Sequence, residues 1–123
     1  MNEYTTALLQ IVSSKISEGE LAKGVGLRNY ARRQPPPPES YFCFETLAIC
    51  DSDSINKHIE ALEKLIAPAK DFIIQRVEEG DDVTLLWFPS DSADNFTILT
   101  PESMKILSSY RIAFLIKSGT ESK

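Results

Sequence analysis

The sequence has few of the residues from which catalytic and metal sites are built. Its 123 residues include one histidine and two cysteines. Nucleophilic catalysis needs a nucleophile beside a base, and many metal sites use paired histidines or a Cys-x-x-Cys motif, which this chain lacks. We expect the histidine, His58, to lie at the boundary or surface of a helix without a catalytic role. The sequence therefore predicts a protein that is not an enzyme and has no metal or cofactor.

Acidic and glycine-bearing segments do not supply the missing chemistry. Asp51 and Asp53 lack the glycine and the closing glutamate of a calcium loop, and helix capping explains them. The segment Gly24-Val25-Gly26 ends a predicted helix. A phosphate-binding loop opens a helix, so we do not interpret this segment as one.

Long apolar runs are also missing, which excludes a membrane-spanning helix. The start, Met1-Asn2-Glu3, lacks the basic and apolar regions of a secretory signal. Cys43 and Cys50 belong to one predicted strand and lie roughly 23 Å apart, on opposite faces. That distance is too long for a disulfide, so we predict reduced thiols in a cytoplasmic protein.

Acidic residues outnumber basic ones, which narrows the choice of partner. The formal net charge is −5 and the isoelectric point about 4.9. Nucleic-acid phosphates and anionic membranes would add like charge to this chain, so neither is expected as a partner. A basic protein stays compatible with this charge.

A hydroxyl cap between a strand and a helix occurs twice in the chain. The segment Ser17-Glu18-Gly19-Glu20 matches the capping box, in which the serine and the glutamate bond to each other's backbone amides. Near the other end, Thr100 precedes Pro101, and proline favours the first position of a helix. We therefore predict a short helix after each of these caps.

The alternation of apolar residues predicts an α+β fold of a single domain over residues 1–123. The predicted strands are 4–12, 41–50, 83–88, 96–99 and 112–116. The resulting order, β-α-β-α-β-β-α-β, favours one mixed or antiparallel sheet of about five strands with helices on one face and a ferredoxin-like core. The last strand is almost continuously apolar, which predicts a buried position in the sheet.

Two segments are expected outside this core. Residues 28–40 contain three arginines and four consecutive prolines, and we predict a stiff surface connector. We expect residues 118–123 to be a frayed tail.

Three segments carry a resemblance to a known family. They are Ser17-Glu18-Gly19-Glu20-Leu21-Ala22-Lys23-Gly24-Val25-Gly26-Leu27, Asp53-Ser54-Ile55-Asn56-Lys57-His58-Ile59-Glu60-Ala61-Leu62 and Leu99-Thr100-Pro101-Glu102-Ser103-Met104. In this order they resemble the bacterial domain-of-unknown-function 4279 family, over roughly residues 5 to 117. The chain departs from the family pattern in its proline run and in its final strand, which lacks the usual aromatic end. The resemblance implies a small α+β fold and no particular activity.

Two groups of side chains are candidates for binding. One is aromatic and basic, with Tyr30, Arg32 and Arg33 beside the proline run. The other consists of carboxylates in two predicted turns: Glu78, Glu79, Asp81, Asp82, Asp91 and Asp94. For both groups we favour solvated loops and turns over a binding surface.

The function expected from these observations is non-catalytic protein binding. One concrete form is a bacterial immunity protein that neutralises a basic toxin through its carboxylates. The alternative is a small-molecule-binding domain or an unrecognised enzyme, with a pocket between sheet and helices lined by Trp87, Tyr30 and Arg32. A degenerate domain kept for assembly is a third interpretation.

Overall fold

The computed structural model describes residues 5–31, 33–89 and 97–117. Its strands are β1 (Thr6–Ser13), β2 (Ser40–Glu45), β3 (Asp82–Phe88) and β4 (Ala113–Ile116). Its helices are α1 (Glu18–Val25), α2 (Ile55–Ile66), α3 (Lys70–Glu78) and α4 (Pro101–Tyr110), with 3-10 turns at Thr46–Ala48 and Ala67–Ala69. The described chain contains no helix of the length and apolarity needed to span a bilayer.

The four strands form one mixed sheet in the order β2-β1-β3-β4. Strand β1 pairs antiparallel with both β2 and β3, and β3 pairs parallel with β4. The predicted α+β class with a single sheet is confirmed at this level.

One face of the sheet forms the hydrophobic core. Ala7, Leu9 and Ile11 of β1 are fully buried, as their alternation predicted. Leu9 lies opposite Phe44 of β2 and Leu85 of β3, so the apolar face continues across the strands. The helices add their buried residues to the same cluster: Leu21, Val25, Ile55, Ile59, Leu62, Ile66, Ile73 and Leu107.

Both predicted helix caps are confirmed. Ser17 Oγ accepts a hydrogen bond from the Glu20 amide at 3.1 Å, and Glu20 Oε1 accepts one from the Ser17 amide at 2.8 Å. At the other cap, Thr100 Oγ1 accepts from the Ser103 amide at 3.2 Å. Helix α1 ends at Gly26, whose φ of 82° is easily adopted by glycine.

The predicted strand at 96–99 is not a strand where the structure describes it, and the ferredoxin-like topology with five strands is not confirmed. Residues 97–100 are irregular, and Phe96 lies outside the described residues. The side chain of Asn56 on α2 donates to the Ile98 carbonyl at 2.8 Å and accepts from the Thr100 amide at 3.0 Å. These bonds tie the segment to a helix instead of to the sheet.

The predicted strand at 41–50 is also too long, because β2 ends at Glu45. The next residue, Thr46, uses its side chain where a strand would use its backbone. Its Oγ1 accepts from the Ala7 amide at 2.9 Å, and the Leu47 amide donates to Thr6 Oγ1 at 3.0 Å. The chain therefore leaves the sheet while the start of β1 keeps hydrogen-bond partners.

The last strand is formed as predicted, but its buried position is wrong. Strand β4 is the outermost strand on its side of the sheet. Leu115 is 48% exposed and Ile116 is 50% exposed. A short apolar run identifies a strand without showing how many neighbours cover it.

Candidate functional site

The predicted carboxylates at residues 78–82 form an acidic corner between α3 and β3, made of Glu78, Glu79, Asp81 and Asp82. Asp81 does not face solvent: its carboxylate pairs with Arg76 at 2.9 Å, and the two side chains are only 3% and 7% exposed. Removing either partner would leave a buried charge, so this pair has a structural role. Asp91 and Asp94 lie outside the described residues.

The rest of the acidic corner is exposed but partly neutralised. Glu78 lies 3.7 Å from Arg111, with both side chains more than half exposed. Asp82 accepts a hydrogen bond from Thr84 Oγ1 at 2.7 Å. Glu79 and Asp82 are therefore the exposed carboxylates of this corner for which the described residues supply no ion pair.

The predicted aromatic-basic group is divided by the structure. The Tyr30 ring meets the Phe44 ring edge-on, with centroids 5.3 Å apart, and the Arg28 guanidinium lies 5.5 Å from the Tyr30 ring centre. Tyr30 thus packs at the margin of the core. Arg33 is exposed, and Arg32 lies outside the described residues.

Trp87, the other predicted lining residue, is a core residue with 2% exposure. Its Nε1 donates to Thr97 Oγ1 at 3.1 Å, and its ring lies edge-on to the His58 ring at 5.3 Å. The indole nitrogen is therefore hydrogen-bonded and the ring is packed against His58. Trp87 is not available to a ligand at the surface.

His58 is fully buried, so its predicted boundary or surface position is wrong. Its Nε2 lies 2.7 Å from the Ser52 carbonyl, and its Nδ1 lies 2.6 Å from Thr46 Oγ1. Since a carbonyl only accepts, we assign the ring proton to Nε2 and the donated bond at Nδ1 to the threonine hydroxyl. The spacing of His58 from Ile55 and Leu62, three and four residues away, was the signal for this burial.

Burial lowers the pKa of His58 below its usual value of 6.5, and the Ser52 hydrogen bond with the charges of Asp53 and Asp51 opposes this only in part. The imidazole is therefore neutral at pH 7, with both nitrogens engaged. We interpret the contact between Thr46 and His58 as a structural hydrogen bond that ties α2 to the end of β2 in the core.

The two cysteines are free thiols, and Cys43 is buried. Burial is the main cause that raises the pKa of both thiols, and the carboxylates of Glu45 and Asp51 raise them further. A raised pKa reduces the thiolate fraction at neutral pH, so neither thiol is activated as a nucleophile.

The β2 edge of the sheet is closed by polar side chains of the preceding loop. Asn29 accepts from the Cys43 amide at 3.0 Å and donates to the Tyr41 carbonyl at 3.0 Å. Gln34 accepts from the Tyr41 amide at 2.9 Å, and the Tyr30 amide donates to the Cys43 carbonyl at 2.7 Å. The outward backbone groups of Tyr41 and Cys43 are therefore all paired.

The β4 edge, Ala113–Ile116, has a different character. The Lys117 amide donates inward to the Trp87 carbonyl at 2.8 Å. Because amide directions alternate along a strand, the backbone groups of Phe114 and Ile116 point away from β3. In the described part of the chain no strand pairs with this outer side. The strand itself has no charge, proline or bulge, the features that usually protect an edge.

The apolar surface of β4 continues onto the open face, the side of the sheet opposite the helices. Leu8 of β1 lies opposite Leu86 of β3, which lies opposite Leu115 of β4. We call these three residues the leucine row. Leu8 and Leu86 are half-buried and Leu115 is exposed, so the row becomes more accessible toward the β4 edge.

No protein-family model matches the chain, and no curated protein or solved structure is significantly similar to it. Within the described ranges, no three His, Cys, Asp or Glu side chains are grouped so that they could hold a metal ion. The candidate site therefore rests on the geometry of this chain, and the β4 edge with the leucine row is the candidate surface, because it joins an unprotected strand to exposed apolar side chains.

Proposed function

We propose that this chain is a non-catalytic protein-binding domain that receives a strand of its partner at the β4 edge. The observation that carries the proposal is the exposure of an apolar outermost strand, in which Leu115 and Ile116 are about half exposed. Partner strands bind such edges by adding to the sheet, with backbone hydrogen bonds for affinity and alternate side chains for specificity.

The state of the nucleophilic and basic residues supports the non-catalytic part of the proposal. Both nitrogens of His58 are hydrogen-bonded in the core, and burial raises the pKa of Cys43 and Cys50. The position of Trp87 in the core gives no support to the alternative of a small-molecule pocket that it would line. Membership of the domain-of-unknown-function 4279 family is part of the proposal and is supported by the three sequence segments that resemble it.

A matched pair of variants tests the proposed edge. Leu115→Lys places a charge in the strand, whereas Leu65→Lys makes the same change at a leucine of α2 that is 39% exposed. Tagged wild type and both variants would be used to capture proteins from cells. We expect a stoichiometric partner that Leu65→Lys retains and Leu115→Lys loses. A partner retained equally by both variants would contradict the proposal.

A basic partner bound at the acidic corner, as in toxin neutralisation, is the second candidate. Its support is the exposure of Glu79 and Asp82, for which no arginine among the described residues forms an ion pair. Glu79→Lys with Asp82→Lys would then slow association with that partner, and added salt would slow the wild type. Glu60→Lys, at an exposed position of α2, is the matched control. Equal association rates for the double variant and the control would rule this candidate out.

A further inference from the structure

We infer that the strand received at the β4 edge is β4 of a second copy of this chain, antiparallel to the first, with Leu115 opposite its own counterpart. The inference rests on the proposed function, since it names the partner of the same edge. The dimer would join two four-stranded sheets into one continuous sheet of eight strands. Three features of β4 carry this assignment: its backbone directions, the residues that the register brings together, and the leucine row.

The backbone of β4 is suited to this antiparallel pairing. The polar groups of Phe114 and Ile116 point outward, and those of Leu115 point toward β3. With Leu115 opposite Leu115, Phe114 of each copy lies opposite Ile116 of the other. Each such pair exchanges two backbone hydrogen bonds, and the central leucines form the closer pair that lacks them.

The side chains distinguish this register from its neighbour. Leucine meets leucine on the open face, phenylalanine meets isoleucine on the helix-bearing face, and Lys117 meets Ala113. If the strands shift so that Phe114 faces its own counterpart, Leu115 of one copy lies opposite Ala113 of the other, and the two leucine rows no longer meet. Apolar cross-strand pairs between large side chains stabilise a sheet more than pairs with alanine, so the register centred on Leu115 is preferred.

The leucine row makes the paired edge part of a larger apolar surface. In the dimer the rows of the two copies meet at Leu115, so that six leucines extend across six adjacent strands of the open face. The contact itself involves only five residues from each copy, the four of β4 and Lys117. An interface of this size is smaller than the roughly 1,200 Å² of standard complexes, and we expect a dimer that dissociates on dilution.

Analytical ultracentrifugation of the purified full chain tests the dimer directly. From about 5 µM to about 1 mM protein, a range chosen for weak association, we expect wild type and Leu65→Lys to shift from monomer to dimer. We expect Leu115→Lys to stay monomeric, with a dissociation constant raised by at least about tenfold. Urea midpoints of the three proteins establish that each variant is folded. A wild type that is monomeric throughout, or a Leu115→Lys variant that dimerises normally, would overturn the inference.

Cross-linking tests the register with variants that need not weaken the dimer. Leu115→Cys places two thiols opposite each other, and exchange with oxidised glutathione can join them as a disulfide while two molecules of glutathione are released. We expect a covalent dimer from Leu115→Cys and much less from Phe114→Cys. Wild type, with Cys43 and Cys50, measures the background. A higher yield from Phe114→Cys would show that the register is wrong.

The outcomes separate this inference from the proposed function. If the purified chain is monomeric but a different protein is captured in a manner sensitive to Leu115→Lys, the edge binds a partner and the second-copy assignment fails. If neither the dimer nor a captured protein depends on Leu115, the proposed function fails as well.

Discussion

The two edges of the sheet end in opposite ways. At the β2 edge, Asn29, Tyr30 and Gln34 pair with the outward backbone groups of Tyr41 and Cys43. At the β4 edge, the strand is apolar and half exposed. A sheet edge offers unpaired amides and carbonyls to any strand that approaches, so natural proteins usually protect it. The protection is therefore present at the β2 edge and absent from β4 itself, and this difference is the basis of the proposed binding edge.

The difference extends into the interior of the β2 half. There the exit of the chain from the sheet is held by buried polar groups, with Thr46 between Ala7 and His58. The β4 half is held by its ladder to β3 and by apolar packing such as that of Phe114. We therefore expect the removal of a polar side chain from the β2 half to destabilise the protein strongly. We expect the introduction of a polar side chain at the β4 edge to destabilise the folded monomer little.

Thr46→Val should have the largest effect on stability. It keeps the shape of the side chain but removes the hydroxyl that serves Ala7 and His58, and it leaves buried groups without partners. We expect the free energy of unfolding to fall by about 2–4 kcal/mol, measured by urea denaturation. Thr46→Ser, which retains the hydroxyl, should lose clearly less. Equal losses for the two variants would show that packing, and not hydrogen bonding, holds this junction.

Asn29→Ala opens the closed edge and should have the next largest effect. Its amide bonds the backbone of Tyr41, Cys43 and Ala31, so we expect a loss of about 1–3 kcal/mol. Gln34→Ala removes two bonds at an exposed position, and we expect a smaller loss of about 0.5 kcal/mol. The same urea measurement applies. If Gln34→Ala were the more destabilising change, Gln34 and not Asn29 would be the main residue that protects the β2 edge.

Stability should also depend on pH through His58. Its pKa is lowered on folding, so the unfolded chain binds the proton more readily. Stability is therefore fully present above pH 6.5, the unfolded value, and decreases as the pH falls below it toward the lower folded pKa. Each pKa unit of difference corresponds to about 1.4 kcal/mol.

Urea midpoints between about pH 7.5 and pH 5.5 measure this dependence. Histidine is the side chain whose unperturbed pKa lies in this range, and His58 is the one histidine of the sequence. His58→Gln should be less stable but should lose the pH slope in this range. A slope that persists in His58→Gln would assign it to other groups.

Leu115→Thr, at the unprotected edge, should have the smallest effect on the folded monomer. The side chain is already half exposed and threonine is favourable in strands, so we expect a change below about 0.5 kcal/mol at protein concentrations too low for dimerisation. Leu65→Thr provides the same substitution in a helix. A loss above about 2 kcal/mol for Leu115→Thr would mean that β4 is more deeply packed than its exposure indicates.

Local patterns predicted much of the fold. The core face of β1 at Ala7, Leu9 and Ile11 follows from alternation, and the caps at Ser17 and Thr100 follow from short-range hydrogen bonding. These features depend on residues only a few positions apart in the sequence. The end of β2 and the loop before α4 were predicted wrongly, because Thr46 and Asn56 supply side-chain bonds from distant positions in the sequence.

The candidate site was less predictable than the fold. Carboxylates mark turns in a sequence, but their pairing with Arg76 or Arg111 depends on which residues the fold brings near. His58 was expected at the boundary or surface of a helix and Trp87 in the lining of a pocket, but the two rings lie against each other in the core. The β4 edge was recognised as a strand and then placed in the interior of the sheet.

The sequence by itself determined the fold class, the helix caps and the face of β1 that is buried, because each depends on local spacing. Only the tertiary structure decided that His58 is buried and hydrogen-bonded in the core, that Asp81 forms an ion pair with Arg76, and that β4 is an outermost strand. Strand order depends on contacts between segments far apart in the chain. A short apolar run has the same sequence pattern whether the strand pairs with two neighbouring strands or with one. For this protein that difference decides that β4 lies at an edge of the sheet and exposes half of Leu115 and Ile116.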